Sequence, residues 1–462
     1  MRTVLRTAII AVFLAGEIVS AASLPDTMLA NAWTFSLARM RTAMTQMGNS
    51  TTLFPRRATQ TGGTWGTVAA SDWTSGFYPG CLWLCYEKSG DTLFRYNAQR
   101  WTSSLSGQAS NTTTHDVGFM IFSSYGNGYR LLGTSAYLPV IQTAATSLAT
   151  RYRSLAGIID SWSFSPYDTG WEAIIDNMMN LELLYWASSR TGGNANHYTY
   201  ALSHANKTKT NHFRADSTTY HVVKYSRTTG AVINRETRQG YANSSCWARG
   251  QSWAVHGFTM SHRFTGDTGF LNAARKAADY FVYHLPADRV PYWDYQAPGI
   301  PSDTVPRDAA AAAIAASGML ELSTLVGAAD SVRYRDSAIS ILRALCSTKY
   351  RALTTQASIL NHCTGSRPEN TEVDVGLIYA DYYFLQALLR YELYSNITAV
   401  IPRKAYVTKS AITLAPLPRP FDLLGRKITM FSGLTPPGIF IIRVPEEHEQ
   451  ASGSRTIISG IK

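Results

Sequence analysis

The stretch from Gly170 to Ser188, GWEAIIDNMMNLELLYWAS, sets an acid among apolar residues. Ile174, Met178, Leu181 and Tyr185 recur at i, i+4, i+7 and i+11, which predicts a helix over the stretch with Asp176 near its start. Burial among Ile and Met raises the pKa of a carboxyl so placed, while the positive helix N-terminus lowers it. Such a group can be tuned to donate or accept a proton. Asn177 and Asn180 offer amide hydrogen bonds beside it. On this stretch alone a second reading stands equally, an N-cap aspartate that bonds the Met178 or Met179 amide.

Two further constellations carry chemistry. THDVGFM places His115 and Asp116 at the mouth of a helix, sixty residues before Asp176. Two carboxyls brought to one pocket hold different protonation states, because like charges at short range push their pKa values apart. Spacing leaves open whether they meet or each caps its own helix. SSCWARGQSWAVHGF holds Trp247, Arg249, Gln251 and Trp253. Indoles stack on sugar faces and a guanidinium pairs a planar anion, although core packing with a cation–π contact fits the same residues. His221, Gln239, Trp73, Phe77 and Trp162 add polar and aromatic groups on loops, where each taken singly is more often structural than functional. Among recognisable signatures there is no Ser nucleophile elbow, Walker loop or dinucleotide glycine pattern, and His115-Asp116 lacks further ligands at metal spacing. Neither a metal nor a cofactor is expected.

The elements that must position these residues are helices. YEKSGDTLFRYNAQRW, YRLLGTSAYLPVIQTAATSL, HRFTGDTGFLNAARKAADYF and STLVGAADSVRYRDSAISIL share one design: an apolar helix ends at Gly, a short polar residue caps the next, and an Ala-containing helix follows. WASSRTGGNANHYTYALSHA is a looser fifth copy. With helical patterns at Pro25–Met47 and Val373–Tyr394 this predicts twelve helices in six hairpins, an all-α (α/α)6 barrel. The Gly-centred turns then lie on one rim. The longer links lie on the other: Ser71–Phe77, Ser110–Asp116, Trp162–Gly170, Phe213–Ser245 and His362–Asp374. Loops gathered at one end of a rigid scaffold are the usual place for a site. Within the longest link, TTYHVVKYSRTTGAVI reads as a small β-hairpin around Thr229-Gly230.

Met1–Ala22 carries Arg2 and Arg6, an apolar run and then VSAA, the pattern of a secretory signal, so residues 23–395 form the expected catalytic domain of an exported protein. After Asn396 the composition changes to a separate tail, 396–462, with four prolines by residue 420 and strand-like alternation over Phe421–Val444. No later stretch is long and apolar enough to span a membrane, so membrane insertion is not expected. Five cysteines are few and odd in number for an exported chain, which argues against a disulfide framework. The net charge of +11 reduces to +5 between residues 23 and 395, with 31 basic and 26 acidic residues and no basic run. That body is not marked as a nucleic-acid binder by charge; a mildly positive surface favours acidic polymers without specifying which, and a merely solvated surface fits it better.

Taken in order, DWTSGFYPG, THDVGFM, IIDNMMNLELLYWAS, TTYHVV, RQGY, WARGQSWAVHGF and IYADYYFLQALLR resemble the unsaturated glucuronyl hydrolases of glycoside hydrolase family 88, over about residues 30–395. The resemblance implies the same barrel and removal of a 4,5-unsaturated uronic acid from the non-reducing end of oligosaccharides made by polysaccharide lyases. It implies Asp176 as general acid/base and Asp116 as the partner carboxylate that orients the sugar. His115, Trp73, Phe77, Trp162, His221, Gln239, Trp247, Arg249 and Trp253 are similar in position to the family's pocket lining. HCTGSRPENTEVD departs from the family pattern at Cys363 and Asn370, so its residues are left out of the expected site. FDLLGRKI and PPGIFIIRV resemble C-terminal sorting segments of some exported bacterial enzymes. Alternatives are an unsaturated rhamnogalacturonyl hydrolase of the same barrel, a conventional (α/α)6 glycosidase on saturated chains, and a catalytically silent sugar binder.

Overall fold

The computed structural model describes residues 23–59, 62–162, 170–400, 440–444 and 455–459, with backbone alone from 395 onward. Met1–Ala22, residues 163–169 of one link and most of the tail, including the greater part of Phe421–Val444, lie outside the described residues.

Twelve α-helices are present among the described residues: α1 (Asp26–Met47), α2 (Phe77–Ser89), α3 (Thr92–Ser103), α4 (Asn127–Leu132), α5 (Tyr137–Ala149), α6 (Asn177–Ser188), α7 (Ala195–Asn211), α8 (Ala248–Thr265), α9 (Thr268–Tyr283), α10 (Ala309–Ser323), α11 (Ala328–Leu345) and α12 (Ile378–Val400). A π-helical segment, Gly118–Gly126, runs directly into α4. Burial divides these helices into two sets. Every residue of α10 is buried, as are Ala248–Ser261 of α8. In α9 only Phe270, Ala273, Ala274, Ala277, Ala278 and Phe281 are buried, a single stripe. A helix apolar all round must be enclosed and one with a stripe must lie outside, so the pattern sorts two concentric rings.

The inner ring closes. The helix α2 packs on the π-helical segment, that segment on α6, α6 on α8, α8 on α10, α10 on α12, and α12 back on α2. Outer helices α3, α5, α7, α9 and α11 each follow their inner mate, and α1 packs outside α2. Gly90, Gly133 and Gly266 end inner helices in the left-handed region, and Asp91 and Asp267 then accept from the amides of Leu93 and Gly269. Because inner and outer helices alternate in direction, all six inner N-termini emerge at one rim with the long links. This is the (α/α)6 barrel.

Two boundaries differ from expectation. Gly170–Ile174 is a strand, and α6 begins only at Asn177. It pairs antiparallel with Val222–Ser226, which pairs with Val232–Glu236, so the expected two-stranded hairpin is a three-stranded sheet. A partner strand contributed from fifty residues away overrides a helical period that continues unbroken through the local sequence. Likewise α12 starts at Ile378 rather than Val373, because Thr371–Leu377 pairs with Leu53–Ala58 and with Cys363–Ser366. The resulting four-stranded sheet, completed by Trp65–Ala69, lies beside the rim. In the tail, Phe440–Val444 pairs antiparallel with Arg455–Ser459.

Candidate active site

Asp116 and Asp176 sit just before two neighbouring inner helices, the π-helical segment and α6. Gly118 lets those N-termini touch, since a Cβ there would lie 2.6 Å from the Asn180 Oδ1 and 2.7 Å from its Cα. The Phe119 amide donates to Asn180 Oδ1 at 2.8 Å, and Asn177 donates to the Ile159 carbonyl at 3.1 Å. The two asparagines expected beside Asp176 thus fasten α6 to its neighbours.

Asp176 occupies the N-cap position of α6 with φ −59° and ψ −29°, already helical, and its side chain makes no cap hydrogen bond. The capping alternative is therefore excluded. Its Oδ1 has no hydrogen-bond partner among the described residues, and its side chain is 15% exposed. Burial pushes its pKa up to about 7; the Arg249 cation opposes this and the Asp116 charge adds to it. Near neutral pH both protonation states are populated. Asp116 is 16% exposed, accepts from Thr114 Oγ1 at 2.8 Å, and has His115 Nε2 3.3 Å from its Oδ1. Each acid thus presents part of its surface while backed by protein.

His221 stands directly behind Asp176, with no exposed side-chain surface. Its Nδ1 accepts from the amides of Arg238 and Gln239 at 3.2 and 3.4 Å, which leaves the proton on Nε2, 3.8 Å from Asp176 Oδ1. Burial holds its pKa well below the usual histidine value, so the ring is neutral at pH 7. At 3.8 Å the pair is beyond hydrogen-bond distance, and the acidic proton of Asp176 is not tied up by this histidine. Trp247 lies against the His221 ring at 4.4 Å between centroids, and Trp162 meets it edge-on at 5.8 Å.

Across the cup Trp73 is half-buried and rests on Phe77, Phe119 and Tyr379, with centroids 5.9, 5.5 and 5.0 Å away. Gln239 is also half-buried, with its Nε2 donating to the Gly365 carbonyl at 2.9 Å.

Several expected lining residues stand behind the surface instead. Phe77, Trp253 and His115 have no exposed surface: Phe77 underlies Trp73, and Trp253 packs between Phe119 and Tyr383 inside the ring. Burial lowers the His115 pKa, with Asp116 opposing. Arg249, expected to meet a substrate carboxylate, is 2% exposed and pairs with Asp308 at 2.6 Å while donating to the carbonyls of Thr364 and Gly365. Its guanidinium also lies over Trp247 at 4.6 Å. It acts on the cup through its field on Asp176 and by holding the loop that Gln239 also grips.

Asp308, at the N-cap of α10, and Tyr379, in the first turn of α12, were missed in the sequence. An acid before a run of alanines is readable as a cap; that it also pairs Arg249 has no local signal. Among the described residues no group of three His, Cys, Asp or Glu is arranged to hold a metal ion, and no helix is long and apolar enough to cross a membrane.

The cup therefore joins a carboxyl with its pKa raised to about 7, a second carboxyl and the half-buried indoles of Trp73 and Trp162, backed by a buried neutral imidazole. Inner helices begin at this rim, and helix N-termini favour an anionic ligand. Comparison with known proteins gives the family of the chain. The model for Glycosyl Hydrolase Family 88 matches residues 41–285. An unsaturated glucuronyl hydrolase of Formosa agariphila is 43% identical over 328 residues, covering 70% of this chain and 80% of that one. A crystal structure of an unsaturated glucuronyl hydrolase specific for heparin superimposes with a TM-score of 0.76 at 39% identity, over 80% of this chain and 99% of that chain. The unsaturated glucuronyl hydrolase of Bacillus sp. GL1, responsible for the degradation of glycosaminoglycan, gives a TM-score of 0.74 at 30% identity, over 79% and 97%.

Proposed function

The chain belongs to glycosyl hydrolase family 88, and from that premise we propose that it is an unsaturated glucuronyl hydrolase whose acid/base is Asp176. It removes a 4,5-unsaturated uronic acid from the non-reducing end of lyase-derived oligosaccharides. The observation that carries the assignment of Asp176 is its uncapped, partly exposed carboxyl with a pKa raised to about 7.

Protonated Asp176 gives its proton to C4 of the vinyl ether, and positive character develops at C5, shared with the ring oxygen. The ionised carboxyl then takes a proton from water as the water oxygen bonds to C5. The net change is addition of water across C4=C5. The hemiketal so formed opens to a ketone, and C1, now a hemiacetal carbon, releases the remaining sugar. One carboxyl serves twice, which differs from a pair of carboxylates acting on opposite sides of a glycosidic bond. Asp116 faces the same cup and orients the sugar. The faces of Trp73 and Trp162 hold the ring, the buried neutral His221 backs Asp176 without adding a charge, and the helix N-termini attract the sugar carboxylate.

Lyase-generated disaccharides mixed with the protein lose the ultraviolet absorbance of the conjugated double bond as they turn over. Absorbance that persists with every uronate tested overturns the reading. Reducing ends released from intact polysaccharide without an ultraviolet change would mark a conventional glycosidase instead.

A pH dependence follows with a definite sign. Catalysis needs Asp176 protonated at the start, and the base is generated within the turnover, so Asp176 accounts for one limb only. The kcat/KM profile is expected to fall about tenfold per pH unit above the free-enzyme pKa near 7. Asp116→Asn removes a like charge that raises the Asp176 pKa, so its alkaline limb moves to lower pH, whatever happens to the plateau. A limb that stays in place or moves up shows that the two acids are not coupled.

The protein is proposed to act outside the cytoplasm, on the strength of Arg2, Arg6, the apolar run after them and the small residues ending at Ala22. Intact mass of the exported protein is expected to place its N-terminus at Ala22 or Ser23; a product retaining Met1 contradicts this.

A further inference from the structure

One ionic cluster lies outside the cup yet grips both of its lips. Arg56, on the strand Leu53–Ala58, donates through Nε and Nη2 to the two carboxylate oxygens of Glu372 at 2.6 and 3.1 Å, and through Nη1 to Asp72 Oδ2 at 2.6 Å. The Arg56 and Asp72 side chains are 27% and 19% exposed and that of Glu372 is 7%, so the contacts are partly shielded from solvent.

Each acid belongs to a segment that shapes the site. The other Asp72 oxygen receives the Thr74 amide and hydroxyl at 2.9 and 2.6 Å, which fixes the turn carrying Trp73 between them. Glu372 sits in the hairpin formed by Cys363–Ser366 and Thr371–Leu377, whose Thr364 and Gly365 carbonyls are held by Arg249 and Gln239.

That hairpin is held against its own backbone preference. Glu372 has φ 54°, and His362, Asn370 and Asp374 have φ 59°, 52° and 58°, so four non-glycine residues lie in the left-handed region disfavoured for side chains with a Cβ. Such conformations persist only where surrounding contacts over-determine them, and they gather at functional sites. Here the contacts fall on the strained residues themselves. Arg56 binds Glu372, and His362 Nδ1 lies 2.6 Å from Asp374 Oδ1.

We infer that Arg56 is a positioning residue of the site, locking the Trp73 turn and the Cys363–Leu377 hairpin into one rigid lip against which the sugar docks. The inference rests on the reading of this rim as the active site. Arg56 touches neither Asp116 nor Asp176, so its effect falls on how well the cup fits the sugar and not on the proton it transfers.

Arg56→Met keeps the aliphatic stem and removes all three donors; Glu372→Gln keeps the shape of the acid and removes its charge. With unsaturated disaccharide, KM is expected to rise about tenfold in Arg56→Met and less in Glu372→Gln, as a sugar loses a preformed wall. Within that expectation kcat changes by less than about twofold and the alkaline limb stays in place. Hydrogen exchange quickens in both 70–77 and 363–377, and the double variant is no worse than Arg56→Met. Unchanged KM, exchange that quickens in one segment alone, or a kcat loss with a displaced limb overturns the inference. Wild-type protein that turns over no unsaturated uronide sinks the functional reading instead, and the exchange pattern still decides whether Arg56 joins the two segments. If Arg56→Met does not fold, Glu372→Gln carries the same test.

Discussion

Asp176→Asn is expected to lower kcat about a thousandfold while KM stays within about threefold of its original value. Asparagine keeps the size and planarity of the side chain, and the wild-type carboxyl makes no cap hydrogen bond whose loss would loosen α6. What disappears is the titrating proton, in a group poised near pH 7 by burial. Both halves of the reaction use that proton site, first as donor to C4 and then as acceptor from water, so no step survives intact. A neighbouring group cannot take its place in this geometry. His221 is locked with its proton on Nε2 and remains neutral, and His115 is buried behind Asp116. The measurement is the initial rate of ultraviolet absorbance loss at saturating disaccharide, with binding of the unsaturated sugar to the variant measured separately. Turnover above about a tenth of wild type removes Asp176 from the acid/base role. Binding lost along with turnover shows that the carboxyl holds the sugar instead of protonating it.

The sequence made the helices of this barrel and the local hairpin around Thr229-Gly230 legible and the long-range strand pairings illegible, for one physical reason. A Gly followed by a capping Asp marks the meeting of two helices within a few residues, so Gly90-Asp91 and Gly266-Asp267 announce their hairpins locally. The pairing of Arg57 with Leu377 joins residues over three hundred positions apart, and nothing near either one advertises the other. The same division runs through the site. Residue type named Asp116, Asp176, His221 and Trp73 as candidates, and the barrel's alternation placed their links at one rim. Orientation was not readable. The helical φ and ψ of Asp176 decide that it does not cap, and only burial shows Phe77 and Trp253 supporting a surface they were expected to form. Arg249 is the sharpest case, because a guanidinium between indoles suits a sugar carboxylate until its actual acid partner, Asp308, is seen to come from the next inner helix.

That pairing makes Arg249→Met the other substitution with a large expected effect. Arg249 and Asp308 are 2% and 0% exposed, and the guanidinium also satisfies the carbonyls of Thr364 and Gly365. Removing the cation leaves a buried carboxylate with backbone amides, those of Ala310 and Ala311 at 3.1 and 3.3 Å and that of Thr364, but without its counter-charge. Breaking a buried ion pair from one side costs about 3–5 kcal/mol, to be read from the shift of a denaturant midpoint. The penalty depends on pH in a direction that follows from Asp308. Burial already raises its pKa, Arg249 restrains that rise, and without the restraint the folded-state value climbs further. A carboxyl whose folded pKa exceeds its unfolded one costs least at low pH, where both states hold the proton. The cost grows as pH rises from the unfolded toward the folded value. The variant is therefore expected to lose least stability in acid, and Asp308→Asn added to it should recover part of the loss near neutrality. The same substitution reaches Asp176, whose charged form Arg249 favours, so the alkaline limb of kcat/KM moves up in pH. Asp116→Asn moves it down. Opposite displacements from two residues flanking one carboxyl identify Asp176 as the titrating group more firmly than either alone. A variant with an unmoved midpoint and an unmoved limb would show that Arg249 neither braces the rim nor tunes the acid.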